Sequence, residues 1–448
     1  MGKLFGTDGI RGVANTYPMT AEVALKVGMA IAYTCRKEGH TPRIVIGKDT
    51  RLSGYMIEDA LVSGVCSMGA DALVIGVMPT PGVAFLTQSM RADAGIVISA
   101  SHNPYEDNGI KIFSKTGFKL PDDKEAEIED LILSDSLNEL RSPSKELGKA
   151  YRIDDARGRY IVFIKNSFPS ELSLEGMKIV LDCSNGATYR VAPEVFFELG
   201  AEVINLANTP DGRNINNSCG SQHPEKMAEE VVRRGAQAGF AFDGDGDRMI
   251  AVDEKGNVLT GDQMIAICAK ALKQQDKLKN NLVVTTVMSN LGFKIALKEL
   301  GISHIEANVG DRYVLEEMID KGAIIGGEDS GHIIFLDHHT TGDGIIAALQ
   351  LARVMKEENR PLSGLGVMQV FPQKLINITV KSKPDIETVP EIVSAIKLAE
   401  KALGDKGRVL VRYSGTQQMC RVMVEGPTKE ETDKYCEMIA AVVRATIG

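Results

Sequence analysis

The stretch RIVIGKDTR (residues 43–51), a helical segment to Met68 and then GADALVIG (69–76) decide the fold. A β-branched run, a short polar loop, a helix, a glycine and a second apolar run make one βαβ-type crossover unit. The unit recurs as KIVLDCSNGA (178–187), a helix to Leu199 and GAEVINL (200–206), and as NLVVTTVMSN (281–290), a helix to Leu300 and GISHIEAN (301–308). Gly69, Gly200 and Gly301 fit the C-terminal caps of the helices. Three copies predict three related α/β domains with mixed sheets; the alternative is one large α/β sheet. The tail from about residue 371 differs, with strand LINITVKS, a helix over 390–403, strands RVLVRYS and CRVMVEG, and a helix over 429–445. The turn SGTQQ suits a hairpin between the later strands. The expected fold class is therefore α/β, three related α/β domains with mixed sheets plus a smaller C-terminal α+β domain. The expected boundaries are 1–152, 153–257, 258–369 and 370–448, guided by Pro121, Pro143 and Gly148, by the turn EKGN (254–257) and by RPLSG (360–364).

At 448 residues, 44% hydrophobic and 25% charged, the chain has apolar material for several cores. A net charge of −9 argues against a protein that tracks nucleic-acid phosphates. Seven cysteines, with no C-x-x-C pair, point to free thiols in a reducing compartment. The start, MGKLFGTDGI, lacks a signal-peptide core. No apolar run approaches the roughly 18 residues of a membrane span. A cytoplasmic location, with neither membrane nor nucleic acid as partner, is the expectation.

Four segments carry candidate chemistry. In GIVISASHNPYEDNGIKIF (95–113) an apolar strand runs into polar residues that Asn103-Pro104 place at a turn. Ser101 is a candidate nucleophile, and its neighbour His102 is expected to diverge from it along an extended backbone, against a hydrolase-type pair. In AGFAFDGDGDRMIAVDEKGN (238–257), Asp243, Asp245 and Asp247 alternate with glycines and converge as a hard cation requires. Glu254 stands at the twelfth position of an EF-hand reading, but Arg248 fills the sixth, where glycine is needed, and the flanks read as strands. In GGEDSGHIIF (326–335), Glu328, Ser330 and His332 suit hydrogen bonds to sugar hydroxyls. In VRYSGTQQMCRVMVEG (411–426), Arg412, Ser414, Gly415, Thr416 and Arg421 gather donors around one turn, a cradle for phosphate. Thr7 and Arg11 in FGTDGIRG (5–12) are compatible with phosphate as well, and Lys111 is a further basic candidate. Taken singly, these segments also read as ordinary polar turns.

In order, GTDGIRG, SASHNP, DGDGDR, GEDSGH and RYSGT resemble the α-D-phosphohexomutase family along the whole chain. The chain is most similar to the glucosamine branch in ISASHNP with DNGIK, in VGDRYV (309–314), and in GHIIFLD followed by TTGDG (340–344). Two positions depart from the pattern: Gln417-Gln418 stand where the family has Glu-Pro, and Asp329 where the branch has Gln.

The resemblance implies an intramolecular phosphotransferase that interconverts glucosamine 6-phosphate and glucosamine 1-phosphate. Ser101 would be the phosphoserine, and one Mg²⁺ per chain would be held by Asp243, Asp245, Asp247 and an oxygen on Ser101. Lys111 would be the first candidate for proton transfer, with Arg11 and His102 assisting and Arg248 steadying the loop. Glu328, Ser330 and His332 would bind sugar, and Arg412, Ser414, Gly415, Thr416 and Arg421 the phosphate. A sugar bisphosphate would be intermediate and activator, the partner a phosphorylated hexosamine, and a homodimer is admitted. The alternatives are a mutase for glucose or mannose phosphates and a non-catalytic phosphosugar sensor.

Overall fold

Each of the three sequence repeats builds its own sheet in the computed structural model, which describes residues 4–6, 8–414 and 418–448. The first sheet runs Ile10–Val13, Asp107–Ser114, Ala94–Ile98, Arg43–Lys48, Asp71–Val77, Ala150–Arg152. The second runs Val258–Leu259, Met249–Asp253, Ala238–Phe242, Lys178–Asp182, Glu202–Leu206. The third runs Ser303–Ala307, Leu282–Thr286, Ile325–Gly327, Ile333–Phe335. The alternative of one large sheet is not formed.

All three share a pattern. The repeat's first strand lies between its second and third; the third pairs in parallel with the first and antiparallel with a fourth. Strands Ala94–Ile98 and Ala238–Phe242 are buried at every position, which is why their sequences are continuous apolar runs rather than alternating ones. The reversal from third to fourth strand falls at 99–106, 243–248 and 328–332, the three polar motifs. Gly69, Gly200 and Gly301 end their helices at φ +79°, +98° and +63°, left-handed conformations that carry no Cβ penalty in glycine.

The chain divides into two units. One comprises Met1–Val287 with Ile305–Gly366, and the other Met288–His304 with Val367–Gly448. The second unit has an antiparallel sheet with Met419–Glu425 between Gln373–Thr379 and Arg408–Tyr413. Helices Pro390–Leu403 and Lys429–Ile447 cover it, packing Ile392, Ala399 and Ile439 against Val422 and Val424. The last helix begins at Thr428, whose hydroxyl accepts the Glu431 N–H at 3.2 Å. Among the described residues no helix is long and apolar enough to cross a membrane, and all seven cysteines are free.

Helices Ala21–Thr34 and Ser53–Ser67 pack backbone to backbone, since a Cβ on Gly64 would lie 2.2 Å from the Leu25 carbonyl oxygen. Gly64→Ala is expected to destabilise the first unit by about 1–3 kcal/mol through overpacking. Gly158→Ala, at a helical position with nothing within 4 Å of the new methyl, is not. Calorimetric melting of the two variants checks the contrast.

Candidate active site

Ser101 leaves strand Ala94–Ile98 with left-handed backbone, φ +53°, at a cost to a serine on the order of 1–2 kcal/mol. Its Oγ is buried and donates to Asp243 Oδ2 at 2.7 Å. His102 Nδ1 lies 3.2 Å from the same oxygen. The expected divergence of these neighbours is thereby corrected: it assumed an extended backbone, and the left-handed serine turns the imidazole onto Oγ. Burial, then the charges of Arg248 and Arg11, push the His102 pKa down to about 4, so the ring is neutral near pH 7.

Asp243, Asp245 and Asp247 place carboxylate oxygens within 4.8 Å of one another. The reversal holds them there. Gly246 and Arg248 donate backbone N–H bonds to Asp243 Oδ1 at 3.0 and 3.1 Å, and Thr80 donates its hydroxyl to Asp245 Oδ2 at 2.7 Å. Burial, then repulsion from Asp247 and Asp245, raises the Asp243 carboxyl well above its ordinary range. Burial also works against a charged Asp247, but Lys111, His332 and Arg248 outweigh it and hold that carboxyl well below its range. Asp245 Oδ1 and Asp247 Oδ1 are buried without a hydrogen-bond partner among the described residues. Orphaned hard oxygens clustered in this way fit a divalent cation. Strands rather than helices flank the loop, which disposes of the EF-hand reading.

Lys111 reaches Asp245 at 3.1 Å, Asp8 at 3.2 Å and Asp247 at 3.7 Å. Burial disfavours its charge, yet these carboxylates raise its pKa above the ordinary lysine value. Arg11 pairs with Asp8, and Lys119 bridges Asp8 at 2.6 Å and Asp311 at 2.5 Å. Asp8, Lys119, Asp311 and Thr80 were not singled out from sequence; Asp8 and Asp311 lie inside GTDGIRG and VGDRYV, where the signal was present.

In the third reversal, Glu328 accepts the Gly310 N–H at 3.1 Å, and the exposed Ser330 hydroxyl lies 3.4 Å from its other oxygen. His332 is only 2% exposed. Its nitrogens stand 3.7 Å from Asp247 and 3.8 Å from Asp311. Burial opposes its protonation, but those carboxylates prevail and raise its pKa. It thus ties the third reversal to the acidic loop. Asp329, the departure from the branch pattern, lies 3.3 Å from the Asp262 N–H in the first turn of helix Gly261–Gln274, where the helix dipole favours a carboxylate.

In the second unit, Arg412 and Arg421 are cross-strand partners. Burial, then the Arg421 charge, lowers the Arg412 pKa. Arg421 Nε is buried without a partner among the described residues. Ser414 is buried, and Lys383 Nζ donates to its carbonyl at 2.8 Å. Two adjacent guanidiniums with an unused donor call for an anion. Thr7, Gly415 and Thr416 lie outside the described residues.

Family models named for phosphoglucomutase/phosphomannomutase match in four consecutive pieces: α/β/α domain I over residues 2–139, domain II over 158–256, domain III over 260–370 and the C-terminal domain over 375–442. The chain belongs to the phosphoglucomutase/phosphomannomutase family. One member, named phosphoglucosamine mutase in Syntrophus aciditrophicus, is 68% identical over 100% of both chains. A phosphoglucomutase/phosphomannomutase family protein from Burkholderia thailandensis shares the fold at TM-score 0.81, with 23% identity over 99% of this chain and 97% of its own. An Aspergillus fumigatus N-acetylphosphoglucosamine mutase, solved with GlcNAc-6P and magnesium, shares it at TM-score 0.69, with 16% identity over 99% and 96%.

The acidic loop and the serine loop touch through Gly244, where a Cβ would lie 2.6 Å from the Ser101 carbonyl oxygen. Gly244→Ala is expected to lower kcat about 10- to 100-fold by shifting one loop against the other. Steady-state kinetics beside a melting curve checks this, since the main loss should be in turnover rather than in fold.

Proposed function

We propose that the chain is an isomerase that interconverts glucosamine 6-phosphate and glucosamine 1-phosphate, with Ser101 as phosphoryl carrier. The observation that carries the reading is the buried Ser101 Oγ, 2.7 Å from Asp243 Oδ2 and beside a carboxylate cluster with two unpartnered oxygens. The relative's name sets the substrate. A mutase for glucose or mannose phosphates is the second reading.

Magnesium is the cation we assign to Asp243, Asp245, Asp247 and a phosphoserine oxygen; when bound it supplies charge that offsets the transferring phosphoryl group. The substrate's own phosphate is taken by Arg412, Ser414 and Arg421, and by Gly415 and Thr416, which follow Ser414 in sequence. Glu328 and Ser330 bind sugar hydroxyls, with His332 orienting their loop. The free hydroxyl oxygen of the sugar bonds to phosphorus as the bond from phosphorus to Ser101 Oγ breaks. In net, the hydroxyl proton ends on Oγ. Lys111, held protonated, and Arg11 stabilise charge on the transferring group, and Lys111 is assigned the return of a proton to the leaving oxygen. Neutral His102, beside Oγ, is able to accept one. The sugar bisphosphate then turns end for end and returns its other phosphoryl group to Ser101 by the reverse chemistry. Free sugar bisphosphate activates the enzyme by loading Ser101. The same reading divides the chain into phosphoserine (1–152), metal (153–257), sugar (258–369) and phosphate (370–448) domains and places it in the cytoplasm.

Ser101→Ala is expected to abolish turnover of glucosamine phosphate even with added bisphosphate; near-normal activity would sink the phosphoserine role. EDTA is expected to remove activity and Mg²⁺ to restore it. Side-by-side kcat/KM for glucosamine, glucose and mannose phosphates decides between the two substrate readings.

A further inference from the structure

Both faces of the Ser101 main chain are tied to residues outside its loop, the carbonyl directly and the N–H through Ser99. Arg51, fully buried, donates from Nη2 to the carbonyl oxygens of Ser101 at 2.8 Å and Asn103 at 2.9 Å. Its Nη1 donates to the Asp107 carbonyl at 3.1 Å and to that of Pro104. Its Nε is anchored on Asp49 Oδ2 at 2.8 Å. From the second repeat, Asn216 Nδ2 donates to the same Ser101 and Asn103 carbonyls, both at 2.9 Å. On the amide side, the Ser101 N–H donates to Ser99 Oγ at 3.0 Å, and the Ser99 hydroxyl donates to Asp49 at 2.6 Å. None of these Arg51 and Asn216 bonds goes to Oγ; within the serine loop both side chains bond backbone carbonyls, the backbone that aims it.

We infer that Arg51 and Asn216 are positioning residues that hold Ser101 left-handed, so that Oγ keeps one aim whether or not it carries a phosphoryl group. This rests on Ser101 being the phosphoryl carrier. Four carbonyls converge on one planar guanidinium, a geometry that a lysine's point charge cannot reproduce. Asn216 adds a grip from a different repeat, which couples the serine loop to the module that carries the carboxylates.

The test loads Ser101 from glucose 1,6-bisphosphate in single turnover, read by intact-protein mass, in wild type, Asn216→Ala and Arg51→Lys. Asn216 is half-buried, so its variant keeps the test decisive should the Arg51 variant fold poorly. Expected for Asn216→Ala is loading slowed about tenfold or more, with KM for glucosamine phosphate within about twofold and the melting temperature within about 2 °C. Arg51→Lys, if folded, is expected to be slower still. Wild-type loading in Asn216→Ala overturns the proposal. So does a slowing matched by an equal rise in KM or a collapse in melting temperature, which is what loss of fold produces. Wild-type protein that takes up no phosphoryl group overturns the phosphoserine function itself, and this proposal with it.

Discussion

Three buried carboxylates with oxygens held within 4.8 Å of one another, one of them bonded to the Ser101 hydroxyl, set the terms for the rest of the first unit. Such a cluster is unfavourable by itself: burial penalises each charge, and each charge penalises the others. Asp243, raised well above its range by burial and by its two neighbours, shows that conflict directly, whereas Lys111, His332 and Arg248 relieve it at Asp247 and hold that carboxyl well down. Part of the answer is backbone N–H donation from Gly246 and Arg248. Part is the buried Lys111 of strand Asp107–Ser114, whose ammonium lies 3.1 Å from Asp245 and 3.7 Å from Asp247. The partnerless oxygens of Asp245 and Asp247 are what remains for a cation to satisfy.

The same topological device serves three purposes. In each repeat a third strand, parallel to the first, reverses into an antiparallel fourth, and the reversal carries the polar motif. The carboxyl ends of parallel strands are where α/β sheets place ligands. Roles then differ only by which side chains the reversal presents: a strained serine, three carboxylates, or Glu328 with its neighbours. Cross-bonds join the first two, with Thr80 reaching Asp245 and Asn216 reaching the Ser101 carbonyl.

Much of this was legible in sequence because it is local. The three strand–helix–glycine–strand units, the Asp-Gly alternation and the C-terminal α+β pattern depend on residues close in the chain. The Ser101–His102 contact was not legible, because it follows from a single left-handed residue that no periodicity reports. His332 read as a sugar ligand by its place in GEDSGH, yet it lies between Asp247 and Asp311, partners distant in sequence. Asp329 showed in sequence only as a departure from the branch pattern, and its carboxylate meets the first turn of helix Gly261–Gln274, a partner distant in the chain. Arg51 looked like the end of an ordinary βα loop, and only the fold shows its guanidinium threaded through the serine turn.

Charge balance offers a reason why one site can run both half-reactions. Around Ser101 the carboxylates of Asp8, Asp243, Asp245, Asp247 and Asp311 face the cations of Arg11, Lys111, Lys119 and Arg248, with His332 biased toward protonation. The two sets nearly cancel. A divalent cation and a doubly charged phosphoserine would add equal and opposite charge, leaving the balance unchanged. On the proposed function, moving the phosphoryl group from Oγ to a bound sugar would alter where that charge sits, not how much there is. A site preorganised for one total charge needs little reorganisation during transfer. A hydrolase would lose the phosphate and with it the balance; a mutase retains both phosphates until the sugar has turned. On the proposed function the grip on the Ser101 backbone has the same logic in geometry, because an Oγ acting as donor in one half-reaction and acceptor in the other would have to occupy one place.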